Sequence, residues 1–285
     1  IGDAAGLGRG HQTARSKNLT ELTDETHHLG GGDGDVEVHE AIEDFIDDIA
    51  IHPKGHSLAV VSRGQLFNFA LWEGGVRQTG VEQGVRYECP IWLDDERLLV
   101  TSDESGEVEF EIHFSTGLKP KHVIEASSHI GRPIDVMKSP TSDRIAFTNH
   151  RHEISILELK TGEVTLVDSS PWDRIQGFDW SADGRYLAYA KHESVQTSII
   201  KVRDTKTGET HNATTGEFKD VAPCFDPKGR YLYFLSYRFF EPIYDQLFFE
   251  ISFPDAMKPC LVTLHADTDS PFFEKPRPLD GDDDD

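Results

Sequence analysis

The chain has 285 residues, enough for one large all-β domain with a sizeable core. Its net charge of −23, from 28 basic and 51 acidic side chains, argues against binding to a phosphate backbone as the main role, so no nucleic-acid partner is expected. Hydrophobic residues make up 37% of the chain and no apolar run approaches the length of a membrane span, so no membrane partner is expected either.

From the N-terminus, the chain opens IGDAAGLGRG, without an initiator Met or a signal peptide, as a segment of something longer or a processed product would. Residues 1–35 form a Gly-rich lead-in that contains one strand-like stretch, Lys17–Thr23. Two explanations of that stretch compete: its partner strands lie upstream, or it completes the last unit of the fold. Asp33, Asp35 and Glu37 do not match the spacing of an EF-hand loop, so no metal is assigned to them.

A repeat then runs through residues 36–265. Five turn segments align: Ile51-His52-Pro53-Lys54-Gly55, Trp92-Leu93-Asp94-Asp95-Glu96, Lys138-Ser139-Pro140-Thr141-Ser142, Trp180-Ser181-Ala182-Asp183-Gly184 and Phe225-Asp226-Pro227-Lys228-Gly229. Their first residues are spaced by 41, 46, 42 and 45. After each turn comes an apolar strand: Leu58–Val61, Leu98–Thr101, Ile145–Thr148, Tyr186–Ala190 and Tyr231–Ser236. A third strand follows in every unit, at Gln65–Ala70, Glu107–Phe114, Ile154–Leu159, Ser198–Arg203 and Cys260–Leu264. Units one, three and four add a short polar fourth strand. Four-strand units at this period predict an all-β β-propeller built of four-stranded antiparallel blades. Five full units are visible, which leaves closure of the ring open.

The last unit carries an aromatic-rich insertion, Tyr237–Pro259. Loops of this length are usually functional or docked on a neighbour. Tyr244, Phe248, Phe249 and Phe253 are therefore expected to be mostly buried, against the propeller itself or against another domain. Residues 266–285 form an acidic tail that should be solvated. Cys89, Cys224 and Cys260 read as free thiols of a reducing compartment. The acidity also fits a high-salt cytoplasm.

No catalytic residue, metal ligand or cofactor motif stands out. There is no Gly-x-Ser-x-Gly elbow, P-loop or dinucleotide-binding glycine pattern, and the His-Glu pairs at residues 39, 152 and 192 lack the second His of a zinc protease. His150 and His152 alternate on one strand and read as exposed loop-edge groups. The first strand of a propeller blade lines the central channel. Asp48, Arg86, Glu88, Arg132, Asp135, Arg174, Asp179, Lys219 and Asp220 lie on or just before such strands, either as ordinary solvated lining or as a polar conduit for an extended peptide.

Phe225–Ser236, Pro242-Ile243-Tyr244-Asp245, Phe253-Pro254-Asp255-Ala256-Met257 and Leu261–Leu264 resemble the end of the second propeller of the tricorn protease family. Trp180–Gly184, Ile134–Pro140 and Gly32–Glu37 resemble its repeats, over about residues 15–275 in all. The blade motif itself is shared with TolB-like propellers. The resemblance implies a cytoplasmic serine peptidase that degrades oligopeptides and assembles as a homo-hexamer, with a second propeller of seven blades that admits peptides. The family's catalytic residues lie in domains outside this chain, so none is carried over. Two functions remain: a noncatalytic peptide-gating propeller that docks on other domains of such a peptidase, and a stand-alone TolB-like interaction module.

Overall fold

The computed structural model describes residues 45–80, 84–244 and 250–272. They form strands, turns and loops with no α-helix. The first blade is β1 (Ile46–Ile51), β2 (Ser57–Ser62), β3 (Gln65–Ala70) and β4 (Arg77–Thr79). The second is β5 (Tyr87–Trp92), β6 (Arg97–Ser102), β7 (Glu109–Phe114) and β8 (His122–Ile124), and the third is β9 (Pro133–Lys138), β10 (Arg144–Asn149), β11 (Glu153–Glu158) and β12 (Val164–Ser169). The fourth is β13 (Phe178–Trp180), β14 (Tyr186–His192), β15 (Ser198–Asp204) and β16 (Thr210–Asn212). In each of these blades the strands pair antiparallel in chain order.

The fifth blade departs from the pattern. It consists of β17 (Lys219–Phe225), β18 (Tyr231–Tyr237) and, after a small separate hairpin of β19 (Ile243–Tyr244) and β20 (Ile251–Ser252), β21 (Met257–Thr263). No fourth strand follows β21 among the described residues. A single parallel bridge between Ser198 and Lys219 joins blades four and five.

The second strands explain how the blades stack. Each reads as a continuous apolar run because both of its faces are covered. On β6, Leu98 and Val100 pack into the core between blades one and two, while Leu99 packs into the core between blades two and three. On β10, Ile145 and Phe147 face blade two and Ala146 faces blade four. On β14, Leu187 and Tyr189 face blade three, whereas Ala188 and Ala190 face blade five. The period of two is thus intact, and alternate residues feed different seams. The first strands are neighbours around the inside: β1 lies beside β5, β5 beside β9, and β13 beside β17.

Three details differ from expectation. Blade two also has a fourth strand, β8, reached through a turn at Thr116-Gly117, where Gly117 has φ +65° and its N–H donates to the Phe114 carbonyl at 2.8 Å. The third strand of blade five begins at Met257 rather than Cys260, because Tyr237 pairs with Met257 and extends the ladder. Residues 266–272, placed in the acidic tail, form turns against blade five, where the Tyr231 hydroxyl donates to the Asp269 carbonyl at 2.9 Å. Residues 1–35, with the Lys17–Thr23 stretch, and residues 273–285 lie outside the described residues.

Candidate functional site

The innermost strands carry a charged lattice across blades two and three. Glu88, on β5, accepts Nη2 of Arg132 at 2.7 Å on Oε1 and Nε of Arg132 at 3.2 Å on Oε2. Arg86 Nε lies 2.9 Å from the same Oε1. One carboxylate therefore holds two guanidinium groups, both more than half exposed. The bidentate contact fixes Arg132 in orientation as well as position. Its backbone is also tied, since its N–H donates to Nδ1 of His150 at 2.9 Å.

Asp48 on β1 and Asp135 on β9 flank this group. Burial, reinforced by the charges of Asp48, Glu88 and Asp135, pushes the Cys89 thiol up to about 12. Cys89 is thus a protonated packing residue, and its Sγ donates weakly to the Ile134 carbonyl at 3.7 Å. It sits at φ +52° in a bulge of β5. Ala222 occupies the corresponding bulge of β17 at φ +52°, and Gly177, just before β13, has φ +91°. The three positions are equivalent, each three residues before the aromatic residue that ends the first strand.

The other sequence-picked charges divide. Arg174 is exposed in the connection before β13, with its N–H on Asp173 Oδ1 at 2.7 Å. Lys219 opens β17, with Nζ 5.9 Å from the Tyr237 ring centroid. Asp220 requires a correction. It is 1% exposed, and its carboxylate is turned into the blade, where Oδ1 accepts Ser236 Oγ at 2.5 Å and Arg238 Nη2 at 3.2 Å. Its carbonyl accepts Ser198 Oγ at 2.6 Å. Asp220 ties β15, β17 and β18 together and does not line a channel.

Asp179 on β13 behaves differently again. Its Oδ2 accepts the Phe225 N–H at 2.7 Å, across the seam to blade five. Burial raises its carboxyl, opposed by the N–H groups of Phe225 and Trp180. It borders an open depression of about 290 Å³ at the hairpin turns that end the first strands of blades three to five.

The insertion leaves its described aromatic residues partly open to solvent in this chain. Tyr244 is 55% exposed and Phe253 is 44% exposed, so neither is mostly buried by this chain alone. Ile243 and Ile251, in the small β19–β20 hairpin, are similarly exposed. Phe248 and Phe249 lie outside the described residues.

Two recurring devices escaped the reading of the sequence. The last residue of a first strand reaches back to the preceding blade: Trp92 Nε1 donates to the Ala50 carbonyl at 3.1 Å, Trp180 Nε1 to the Met137 carbonyl at 3.4 Å, and Lys138 Nζ to the Leu93 carbonyl. An arginine opens or just precedes four of the second strands, at residues 97, 144, 185 and 230. Arg97 bridges to Asp143 at 2.9 Å and Arg144 to the Gly184 carbonyl at 3.2 Å, across two different seams. Both signals were present as fixed offsets within the repeat.

Among the described residues no group of three or more His, Cys, Asp or Glu side chains has the arrangement of a metal site, and no helix is long and apolar enough to cross a membrane.

The family described as the tricorn protease second β-propeller domain matches residues 46–285. A tricorn protease homolog of Saccharolobus solfataricus is 34% identical over 79% of this chain and 20% of its own length. The crystal structure of the tricorn protease superposes with a TM-score of 0.71 at 25% identity, over 80% of this chain and 22% of that one. A TolB structure from Agrobacterium tumefaciens, 17% identical over 77% of each chain with a TM-score of 0.51, shares the fold. The chain spans a quarter or less of the length of the first curated relatives it matches. With its four-stranded blades, its stacked seams and the match over residues 46–285, the chain belongs to the tricorn protease family, in the second β-propeller domain.

Proposed function

We propose that this chain is a noncatalytic propeller segment of a tricorn-type peptidase, one that guides oligopeptides along its inner strands and docks on other domains of the same assembly. The observation that carries the reading is the Arg86–Glu88–Arg132 lattice. It places two half-exposed guanidinium groups and their shared carboxylate on and beside the innermost strand of blade two. Guanidinium groups fixed in this way can bind the carbonyl and carboxylate oxygens of an extended peptide while the carboxylate keeps them in place. A cytoplasmic location and a homo-hexameric assembly belong to the same reading.

The exposed aromatic hairpin supports the docking half of the reading. Phe240, Ile243, Tyr244, Ile251 and Phe253 together present more apolar surface than a solvated turn needs. The alternative, a stand-alone TolB-like interaction module, shares the fold and would leave the inner-strand charges as solvated lining.

Peptide binding by the purified chain tests the proposal. A neutral oligopeptide should bind, and Arg132→Glu should weaken it. The chain alone should not hydrolyse peptides. Unchanged affinity in Arg132→Glu removes the guiding role. Turnover abolished by changing a single Ser, Cys or His removes the noncatalytic one.

A further inference from the structure

Asp179 stands apart from the other carboxylates at the blade seams. Glu88 holds Arg86 and Arg132, Asp143 holds Arg97, Asp168 holds Lys191, Asp204 holds Arg185 and Asp220 holds Arg238. Asp179 is partly buried, and its polar contacts are the N–H groups of Phe225 and Trp180 and the thiol of Cys224. Among the described residues no lysine, arginine or histidine forms an ion pair with it. A carboxylate withdrawn from water without a cation carries an unmet electrostatic demand.

The surroundings match a particular kind of cation. The depression beside Asp179 measures about 290 Å³; Met137, Pro140, Trp180 and Phe225 give it an apolar wall, and Lys138 and Asp226, the latter paired with Arg230, also line it. An apolar wall suits a methylene stem, and a carboxylate at its edge suits the charged head that the stem delivers. The neighbouring basic groups are already committed. Lys138 donates its ammonium to the Leu93 carbonyl, and Arg144 bonds the Gly184 carbonyl at 3.2 Å.

We infer that this depression, at the inner hairpin turns of blades three to five, is a subsite for a lysine or arginine side chain of a peptide, with Asp179 as its counter-ion. The inference rests on the peptide-guiding reading above and gives it a specificity. The stem lies along Met137 and Pro140, and the head group meets Asp179. The Phe225 N–H keeps the carboxylate oriented while the subsite is empty, so little ordering is needed when the cation arrives.

The test uses the 285-residue chain and three oligopeptides of equal length that differ at one central position, Arg, Gln or Glu. Titration calorimetry in about 0.5 M KCl screens the general attraction of an acidic chain for any cation. The Arg peptide should bind about tenfold more tightly than the Gln peptide, as a hydrogen-bonded charge pair warrants. Asp179→Asn keeps an acceptor for the Phe225 N–H and should erase that preference while leaving the Gln peptide unaffected. Met137→Arg places a guanidinium in the depression from within the chain and should erase it too, which decides the matter if Asp179→Asn does not fold. Equal binding of the Arg and Gln peptides, or a preference that survives both substitutions, overturns the subsite but leaves peptide guidance standing. Failure of all three peptides to bind overturns both.

Discussion

The seam between blades two and three and the hairpin inserted in blade five are both rich in aromatic and aliphatic side chains, yet they meet water in opposite ways. In the seam, Phe110 and Phe147 meet edge to face at 5.4 Å and are each 1% exposed. In the hairpin region, Phe240 and Phe253 meet at 5.9 Å with almost the same perpendicular geometry and stay largely exposed. The ring contact is therefore not what decides burial. A seam residue belongs to a strand whose two faces are both covered by neighbouring blades. The hairpin has two residues in each strand, pairs only with itself among the described residues and keeps Ile243, Tyr244 and Ile251 exposed. What separates the regions is the presence of a second layer.

The largest effect should come from emptying the seam. Phe147→Ala removes a ring that touches the cores of two blades, and buried Phe→Ala substitutions typically cost about 3–5 kcal/mol. A chemical denaturation midpoint that scarcely moves would mean that the blades stack loosely and that the contrast with the hairpin is one of degree.

Next in size is the start of β13 in the seam between blades four and five, where backbone closely approaches backbone. A Cβ on Gly177 would lie 2.9 Å from the Cα of Ala222, and Gly177 has φ +91°. Gly177→Ala combines a backbone collision with an unfavourable dihedral, a cost of order 1–3 kcal/mol. Ala at 177 without loss of stability would show that blade five shifts freely against blade four.

Salt should act on the whole chain. With 51 acidic and 28 basic side chains, repulsion opposes compactness everywhere. Screening shortens the Debye length from about 30 Å at 0.01 M to about 3 Å at 1 M. The melting temperature should rise with KCl across that range. A flat or falling series would mean that seam ion pairs such as Arg97–Asp143 outweigh the net repulsion.

A narrower effect is expected on the acid side. Asp204 is held down to about 2, first by its hydrogen bond from Arg185 and also by the N–H groups of Lys206 and Thr207. The unfolded carboxyl titrates near about 3.9. Because the folded value is the lower one, its contribution to stability is fully present above about 3.9 and is lost as pH falls toward about 2. Asp204→Asn should flatten the pH dependence of melting within that window only. An unchanged acid limb would assign the loss to other carboxylates.

Much of the fold was legible because the repeat is written in turns and apolar runs that neighbours cannot mask. Trp180–Gly184 and Phe225–Gly229 announce hairpins by Asp-Gly and Pro-Lys-Gly, and the strands after them are continuous runs. The third strand of blade five was misplaced at its start because Met257, Lys258 and Pro259 look like loop residues and are strand only by pairing with β18. Strand membership there comes from a ladder, and a ladder is not a local property. The candidate site was less legible for the same reason. Position on or just before a first strand singled out Glu88 and Arg132 as candidates, but nothing local showed that Asp220 turns inward to Ser236 and Arg238 while Asp179 forms no ion pair among the described residues. Those outcomes depend on which way a side chain leaves a bulged strand, and the bulges at Cys89 and Ala222 are settled across two blades.

The smallest effect on the chain by itself should come from the hairpin, and it sharpens the comparison most. Phe253 is 44% exposed and meets Phe240, so it withdraws less apolar area from water than a fully buried seam ring when the isolated chain folds. Phe253→Ala should cost about 1 kcal/mol, well below the loss at Phe147. Ile251→Ser, at another exposed position of the hairpin, should behave alike. If the hairpin docks on another domain, the same two substitutions should weaken association in the assembled protein far more than they affect melting of this chain, because burial would occur only there. Size-exclusion chromatography of the assembly beside thermal melts of the chain separates the two readouts. A large fall in the melting temperature of the chain alone would place these side chains in its own core and erase the difference between hairpin and seam. Unchanged association would leave the hairpin without a docking role.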